Sequence, residues 1–239
     1  MKEECIMGSI KVMSFNTQHC LNYIERKIDF EIMAKAIKEC DADIVGLNEM
    51  RGEGTGYGYT AQTEALAELT GMKYYYFAKA IDTVGGPYGN AFLSRIPIVK
   101  AETVTIPDPE EKIYTRYETR CVLKVELEGG INVLVTHFGL NPDEQINAVE
   151  TVISNLNDKK CILMGDFNVN PNNELLLPIR EKMTDCAKLF DREKLSFPSD
   201  VPRTKIDYIF VSPDIEVKEA DIPVIVASDH RPHTAEIIV

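Results

Sequence analysis

Short apolar runs rich in β-branched residues recur along the chain and alternate with a few segments of helical spacing. The apolar runs predict strands over residues 10–15, 44–47, 74–77, 90–93, 98–104, 121–127, 131–135, 161–164, 205–211, 216–220, 224–227 and 234–239. The segment 107–114 carries two prolines and three acidic residues, which predicts an exposed loop.

Helical spacing of apolar residues predicts helices over 29–40 and 61–70, with Asp29 as N-cap of the first and Gly71 ending the second. Asn141-Pro142 predicts the start of a third helix, because Asn is a good N-cap and Pro fits the first helical position. A short helical piece is predicted near 174–180. The apolar face of the third helix is predicted to be Ile146, Val149, Ile153 and Leu156.

The order of these elements predicts an α/β fold without strict βαβ alternation. Glu128-Gly129-Gly130 joins two strands in a hairpin pattern, and other neighbouring strands are also close in sequence. We therefore expect two packed mixed β-sheets with helices outside, in a single domain over residues 1–239.

Composition excludes several classes of protein. The 239 residues carry 26 Lys and Arg against 38 Asp and Glu, a net charge of −12, which disfavours bulk DNA or an anionic membrane as partner. No apolar run is long enough for a transmembrane helix, and the first residues lack the apolar stretch of a secretory signal. We expect a cytoplasmic location, with a removed leader as the open alternative.

The six cysteines form no C-x-x-C pair and have no histidine at zinc-finger spacing. We expect them to be free thiols in a reducing compartment. They are Cys5, Cys20, Cys40, Cys121, Cys161 and Cys186.

Polar side chains stand at or near one end of six predicted strands. Any one of them alone is typical of a turn or cap, because Asn and Asp favour strand ends. Six together, with two of the four histidines, indicate one acidic pocket if the strand ends meet. The residues are Asn16, Asn48-Glu49, Thr136-His137, Asp166 with Asn168, Asp207, and Asp229-His230.

The residue types of this pocket predict metal-assisted hydrolysis of a phosphate ester. Its four carboxylates would repel one another unless a cation offsets them, and oxygen ligands favour Mg²⁺ or Mn²⁺ over Zn²⁺. Two histidines beside carboxylates suit proton transfer, and Arg116 or Arg120 suits an anionic substrate. The P-loop, nucleophile-elbow and H-E-x-x-H signatures are absent from the sequence.

In their order along the chain, these motifs resemble the endonuclease/exonuclease/phosphatase superfamily of metal-dependent phosphoesterases. The resemblance covers nearly the whole chain and implies a four-layer, deoxyribonuclease-like α/β sandwich with the site at one end of two packed sheets. The motifs are Ser14-Phe15-Asn16, Leu47-Asn48-Glu49, Tyr88-Gly89-Asn90 through Ser94, Thr136-His137, Gly165-Asp166-Phe167-Asn168, Ile206-Asp207-Tyr208 and Ser228-Asp229-His230.

The resemblance implies Mg²⁺, or Mn²⁺, as cofactor. It makes Glu49 the main metal ligand, assisted by Asn16 and Asp229. Asp166 resembles the residue that orients or deprotonates the attacking water, with Asn168 beside it in contact with phosphate.

The resemblance also assigns the remaining site residues. His230 resembles the histidine next to the scissile phosphate, and Asp207 the carboxylate that holds its imidazole in one tautomer. His137 fits a second histidine that contacts phosphate or protonates the leaving group. Arg120 and Asn90 resemble further phosphate contacts, with Arg120 preferred over Arg116.

The chain departs from the family pattern before Glu49, where Asn48 replaces the usual Gln and shortens the side chain by one methylene. The chain has no Trp and no Lys-rich loop of the kind that abasic-site endonucleases use to grip DNA. It most resembles the small bacterial hydrolase branch near the sphingomyelinase-like members.

Three functions remain open on the sequence. The first is a phosphoesterase acting on a phosphodiester or phosphomonoester. The second is a DNA or RNA nuclease, similar to abasic-site endonucleases or deadenylases, which requires a basic surface beside the pocket. The third is a non-catalytic binding module, disfavoured because the site residues are retained apart from the conservative Asn48.

Overall fold

Twelve strands and four α-helices form the part of the chain that the computed structural model describes, residues 8–239. Cys5 and the rest of the first seven residues lie outside it. The strands are β1 (Ile10–Asn16), β2 (Ile44–Arg51), β3 (Tyr74–Asp82), β4 (Pro87–Ser94), β5 (Ile98–Thr105), β6 (Cys121–Leu127), β7 (Ile131–His137), β8 (Cys161–Asp166), β9 (Thr184–Asp185), β10 (Asp207–Val211), β11 (Glu216–Asp221) and β12 (His233–Ile238). The helices are α1 (Phe30–Cys40), α2 (Gln62–Thr70), α3 (Pro142–Asn155) and α4 (Leu177–Arg180).

The strands form two mixed sheets of six strands each. The first has the order β11-β12-β1-β2-β4-β3, and the second has the order β5-β6-β7-β8-β10-β9. Strands β1 and β2 are parallel and connected through α1, and β7 and β8 are parallel and connected through α3. The other neighbouring strands are antiparallel, which confirms the prediction of mixed sheets.

Three apolar cores separate four layers. The central core packs the inner faces of the sheets together, with Val12 and Phe92 from one sheet against Val133 and Ile162 from the other. A second core lies between α1, α2 and the first sheet, and a third lies between α3 and the second sheet. This is the predicted α/β sandwich.

The predicted helix signals act as expected. The Asp29 carboxylate accepts a hydrogen bond from Ile32 N at 3.1 Å and caps α1. Gly71 ends α2 with a φ of 74°, a left-handed conformation that glycine adopts without a steric penalty. Asn141 and Glu144 form a reciprocal capping box at the start of α3.

Two details of the prediction are wrong. Residues 224–227 are not a strand. Ile225 N donates to the carbonyl oxygen of Pro223 in a tight turn, and the side chain of Val224 is exposed. Ile146 is exposed because α3 buries the neighbouring stripe of Gln145, Ala148, Val149 and Val152. Gln145 belongs to that stripe because its amide donates to the carbonyl of Gly139 at 3.0 Å.

The five cysteines between residues 20 and 186 are free thiols, as predicted for them. No helix within residues 8–239 has the length and apolar character needed to cross a membrane.

Candidate active site

A row of three polar residues crosses the second sheet at one end. His137 on β7 is the register partner of Asp166 on β8, and Asp166 is the partner of Asp207 on β10. Cross-strand partners share a face of the sheet, so the three side chains are brought together. Gly165 permits this close approach, because a Cβ atom there would lie 1.8 Å from the carbonyl oxygen of Thr136.

The first sheet brings Asn16 and Glu49 to this row. Asn16 ends β1 beside Asn48 of β2, and its amide Nδ2 donates to Glu49 Oε1 and to Asp166 Oδ2, both at 3.0 Å. The Asn16 oxygen accepts from Gln18 N at 3.0 Å, which orients the amide with its nitrogen toward the carboxylates. The hydrogen bond from Asn16 to Asp166 is buried and joins the two sheets at the site.

The carboxylate of Asp166 lies at the centre of the site and is almost completely buried. Besides Asn16, it accepts from the backbone N–H of Asn168 at 2.9 Å. Its Oδ2 lies 3.6 Å from His137 Nε2 and 3.6 Å from His230 Nε2. Burial raises the pKa of Asp166, and the Asp207 charge adds to the increase while His230 opposes it.

His230 lies beside the carboxylate of Asp207. Its Nδ1 lies 2.9 Å from Asp207 Oδ2, so this nitrogen carries a proton and donates it. Burial alone would lower the pKa of His230, but the carboxylates of Asp207 and Asp166 outweigh it and raise the pKa to about 10. His230 is therefore an imidazolium at neutral pH.

His137 lies beside the guanidinium of Arg120. Arg120 Nη1 lies 3.1 Å from His137 Nδ1, and because a guanidinium only donates, Nδ1 must accept. The ring proton is then on Nε2, which faces the Asp166 carboxylate. Burial, followed by the charges of Arg120 and His230, holds the pKa of His137 well below its usual range. This imidazole is neutral.

Asn168 lies next to His137 in the site, whereas Asn90 lies deeper in the protein. Asn168 has a left-handed backbone with a φ of 52°, and its amide lies 3.2 Å from His137 Nε2, beside the row. Asn90 is buried behind the site, where it accepts from Asn48 and donates to Cys121 O at 3.0 Å. Both polar atoms of Asn90 are thus occupied, which favours support of Asn48 over the predicted phosphate contact.

A sequence profile of the Endonuclease/Exonuclease/phosphatase family matches residues 13–230, a span that contains every residue of this site. The chain belongs to this family. Members of the endonuclease/exonuclease/phosphatase family are hydrolases that act on phosphoesters and generally use divalent metals. YbhP, an uncharacterized protein of Escherichia coli, is 26% identical over 258 positions covering 99% of each chain.

Solved structures of the family have the same fold. A family protein from Beutenbergia cavernae aligns with a TM-score of 0.78 and 21% identity over 98% of this chain and 72% of its own. A mannosyl-6-phosphatase from Bacteroides thetaiotaomicron aligns with a TM-score of 0.74 and 18% identity over 96% and 100%. D. rerio TDP2 in complex with a single-strand DNA product aligns with a TM-score of 0.70 and 12% identity over 98% and 100%.

The carboxylates of the site suit a divalent cation. Burial raises the pKa of Glu49, and the nearby negative charge of Asp229 adds to the increase. Asp207 Oδ1 is buried without a hydrogen-bond partner. Excess negative charge and an unpartnered carboxylate oxygen are the properties that a bound hard cation relieves, so these residues fit the metal that the family uses.

Two sets of residues could contribute ligands. Asp166, Asp207 and His230 offer atoms within 4.8 Å of one another. In this set His230 Nδ1 is already occupied, because it lies 2.9 Å from Asp207 Oδ2. The predicted set of Glu49, Asn16 and Asp229 has two half-buried carboxylates that solvent can reach. Asn16 directs its nitrogen toward Glu49, so the set of Glu49, Asn16 and Asp229 stays a prediction.

Several residues near the site were given no individual role from the sequence. Asn48 donates to Thr136 O and accepts from Asp166 N at 3.0 Å, which ties β2 to the second sheet. Burial raises the pKa of the Tyr88 hydroxyl. The charge of Glu49 adds to this increase, and the charge of Arg120 opposes it. The Tyr-Gly-Asn motif and the Glu-Thr-Arg run before β6 were the available signals for Tyr88 and Glu118.

The two remaining histidines lie in different places. His19 is at the rim, with Nδ1 3.9 Å from Glu49 Oε2. The side chain of His233 is completely buried. It begins β12, which β1 and β11 cover on both sides, and it packs against Phe190.

Proposed function

We propose that this chain is a Mg²⁺-dependent phosphoesterase that hydrolyses a phosphodiester, or a phosphomonoester, by in-line attack of an activated water. The supporting observation is that Asp166 Oδ2 lies 3.6 Å from both a neutral and a cationic histidine. This arrangement offers a base, a neutral donor and a positive charge around one position, as phosphoryl transfer requires.

Glu49 and Asp229, with Asn16 beside them, are the residues that would hold the Mg²⁺, and Mn²⁺ suits the same oxygens. The ion supplies neutralisation of charge on the phosphate oxygens and leaving group and lowers the pKa of bound water. Arg120 and Asn168 contact the phosphate in this proposal, which aligns the ester with the attacking water.

Proton transfer is assigned to the buried row. Asp166, whose pKa burial raises toward neutrality, orients the attacking water and accepts its proton. His230, held by Asp207, places positive charge next to the phosphate oxygens where negative charge develops. His137 keeps its Nε2 proton and donates a hydrogen bond from it to a phosphate oxygen or to the leaving oxygen.

A hydrolysis panel tests the proposal. The purified chain is assayed with Mg²⁺ or Mn²⁺ on p-nitrophenyl phosphate, bis-p-nitrophenyl phosphate, sphingomyelin, an abasic duplex and oligo(A). We expect turnover of at least one ester that EDTA abolishes and that Asp166→Asn lowers at least about 10³-fold. Asp158→Asn, which changes an exposed acid by the same chemistry, leaves the rate unchanged.

Turnover that persists in EDTA, or an Asp166→Asn variant as active as the wild type, would contradict the proposed mechanism. Absence of turnover on every ester would favour the non-catalytic binding module instead. The result thus separates an enzyme from a protein that only keeps the fold.

DNA or RNA cleavage, by an enzyme similar to an abasic-site endonuclease or a deadenylase, is the competing function. The same side chains would serve it, and D. rerio TDP2, which shares the fold, is described in complex with a DNA product. The net charge of −12 favours a small ester over bulk nucleic acid. The abasic-duplex and oligo(A) arms of the panel distinguish the two functions.

We also propose that the whole chain, residues 1–239, acts as one catalytic unit in the cytoplasm. The free thiols at Cys20, Cys40, Cys121, Cys161 and Cys186 support a reducing compartment.

A further inference from the structure

Arg120, the arginine assigned to the substrate phosphate, is already paired with a carboxylate of its own chain. Glu118 Oε1 lies 2.6 Å from Arg120 Nη1, the same nitrogen that donates to His137 Nδ1. The Arg120 side chain is 13% exposed and that of Glu118 is 42% exposed, with Glu118 Oε1 buried against Arg120. A phosphate that binds Arg120 must therefore come close to the negative charge of Glu118.

The backbone around Glu118 is held in place by the start of α3. Glu118 N donates to Glu144 Oε1 at 3.1 Å, and Glu144 is itself buried in the capping box of that helix. The neighbouring Tyr117 hydroxyl donates to Asp143 Oδ2 at 2.7 Å. Two contacts to one helix end thus fix the position from which the Glu118 side chain reaches Arg120.

Repulsion from a fixed charge depends on the charge of the ligand. A phosphodiester carries one negative charge, whereas a phosphomonoester carries two above its second pKa of about 6. The Coulomb energy with Glu118 is therefore about twice as large for the monoester in the same position. A positive residue at this place would have the opposite effect and would favour the dianion.

We propose that Glu118 is a specificity-determining residue that favours singly charged phosphodiesters over doubly charged phosphomonoesters. The proposal rests on the proposed function, in which Arg120 contacts the phosphate. It narrows the substrate class to esters whose phosphorus carries two organic groups.

The test compares two substrates with one leaving group, p-nitrophenyl phosphate and methyl p-nitrophenyl phosphate, at pH 8 with Mg²⁺. Glu118→Gln keeps the size of the side chain but removes the charge. We expect it to raise kcat/KM for the monoester relative to the diester about 10-fold. Because the result is a ratio, a general loss of activity from a disturbed Arg120 does not affect it.

Two control variants isolate the charge. Glu118→Asp keeps the carboxylate and should keep the wild-type ratio, and Glu128→Gln removes an exposed acid at the β6–β7 turn and should do the same. An unchanged ratio in Glu118→Gln, or an equal gain for both substrates, would overturn the proposal. If the wild type hydrolyses neither substrate nor any other ester of the panel, the proposed function fails instead.

Discussion

His137 and His230 lie on opposite sides of the same carboxylate, and their neighbours give them opposite charges. Each places Nε2 at 3.6 Å from Asp166 Oδ2, and each is almost fully buried. The Nδ1 atom of His137 faces the donor-only guanidinium of Arg120, whereas that of His230 faces the acceptor-only carboxylate of Asp207. One ring is therefore neutral and the other cationic at the same pH.

The comparison shows that the group facing Nδ1 determines the charge of each of these buried histidines. Burial lowers the pKa of both rings, and the difference arises from the sign of the charge on the Nδ1 side. A site with two identical rings can thus stabilise negative charge on one side and donate a hydrogen bond from a neutral group on the other.

The largest expected effect comes from replacing each histidine in turn. We expect His230→Gln to lower kcat about 10³-fold, because it removes a positive charge beside the phosphate, and His137→Gln about 10-fold. Steady-state kinetics on the best ester of the panel measures both. His19→Gln at the rim is the control and should change kcat less than 3-fold, roughly the scatter of such effects. Equal losses for His137→Gln and His230→Gln would show that the rings are equivalent.

A smaller effect on kcat is expected when the carboxylate beside His230 is replaced instead of the histidine itself. Asp207→Asn removes the carboxylate that outweighs burial, so the pKa of His230 should fall and kcat at pH 8 should drop about 100-fold. The ¹⁵N chemical shifts of the imidazole give its charge directly. Asp185→Asn, a buried acid that caps Ala187, is the matched control. An imidazolium that persists in Asp207→Asn at pH 8 would contradict this origin of the charge.

The smallest effect is on stability, measured by urea unfolding of the metal-free chain. His137 stays neutral when folded, so the unfolded state binds more protons, and stability is lost as pH falls below about 6.5. The pKa of His230 is raised, so its contribution is complete below about 6.5 and is lost as pH rises toward about 10.

Each single histidine changes the slope by at most about 1.4 kcal/mol per pH unit. We expect His137→Gln to reduce the acid slope and His230→Gln to reduce the alkaline slope. His233 is buried and neutral as well and should keep part of the acid slope in His137→Gln. The opposite assignment of slopes to the two variants would refute the charge states inferred for the rings.

The sequence predicted most of the fold because apolar runs and caps are local signals. Asp29 and Gly71 mark helix ends through their own backbone and side-chain chemistry, and polar residues at strand ends interrupt otherwise apolar runs. The residues 224–227 show the limit of this approach. They have the composition of a strand, but no neighbouring strand pairs with them.

Features that depend on packing between layers could not be predicted from the chain alone. Asn90 is a residue type that can contact phosphate, but its side chain accepts a hydrogen bond from Asn48, because the inner faces of both sheets meet there. His233 stands near the end of the chain, where exposure is expected, and is buried because β12 lies between two strands. The role of Glu118 depends on Glu144, which is distant in sequence.

The row of His137, Asp166 and Asp207 has a consequence for how the length of this chain can change during evolution. Side chains alternate between the two faces of a strand, so inserting one residue within β7 or β8 would turn His137 or Asp166 away from the site. An insertion of two residues keeps the face. Among relatives that retain the activity, length differences inside these strands should therefore be even, and odd ones should be confined to the connecting loops.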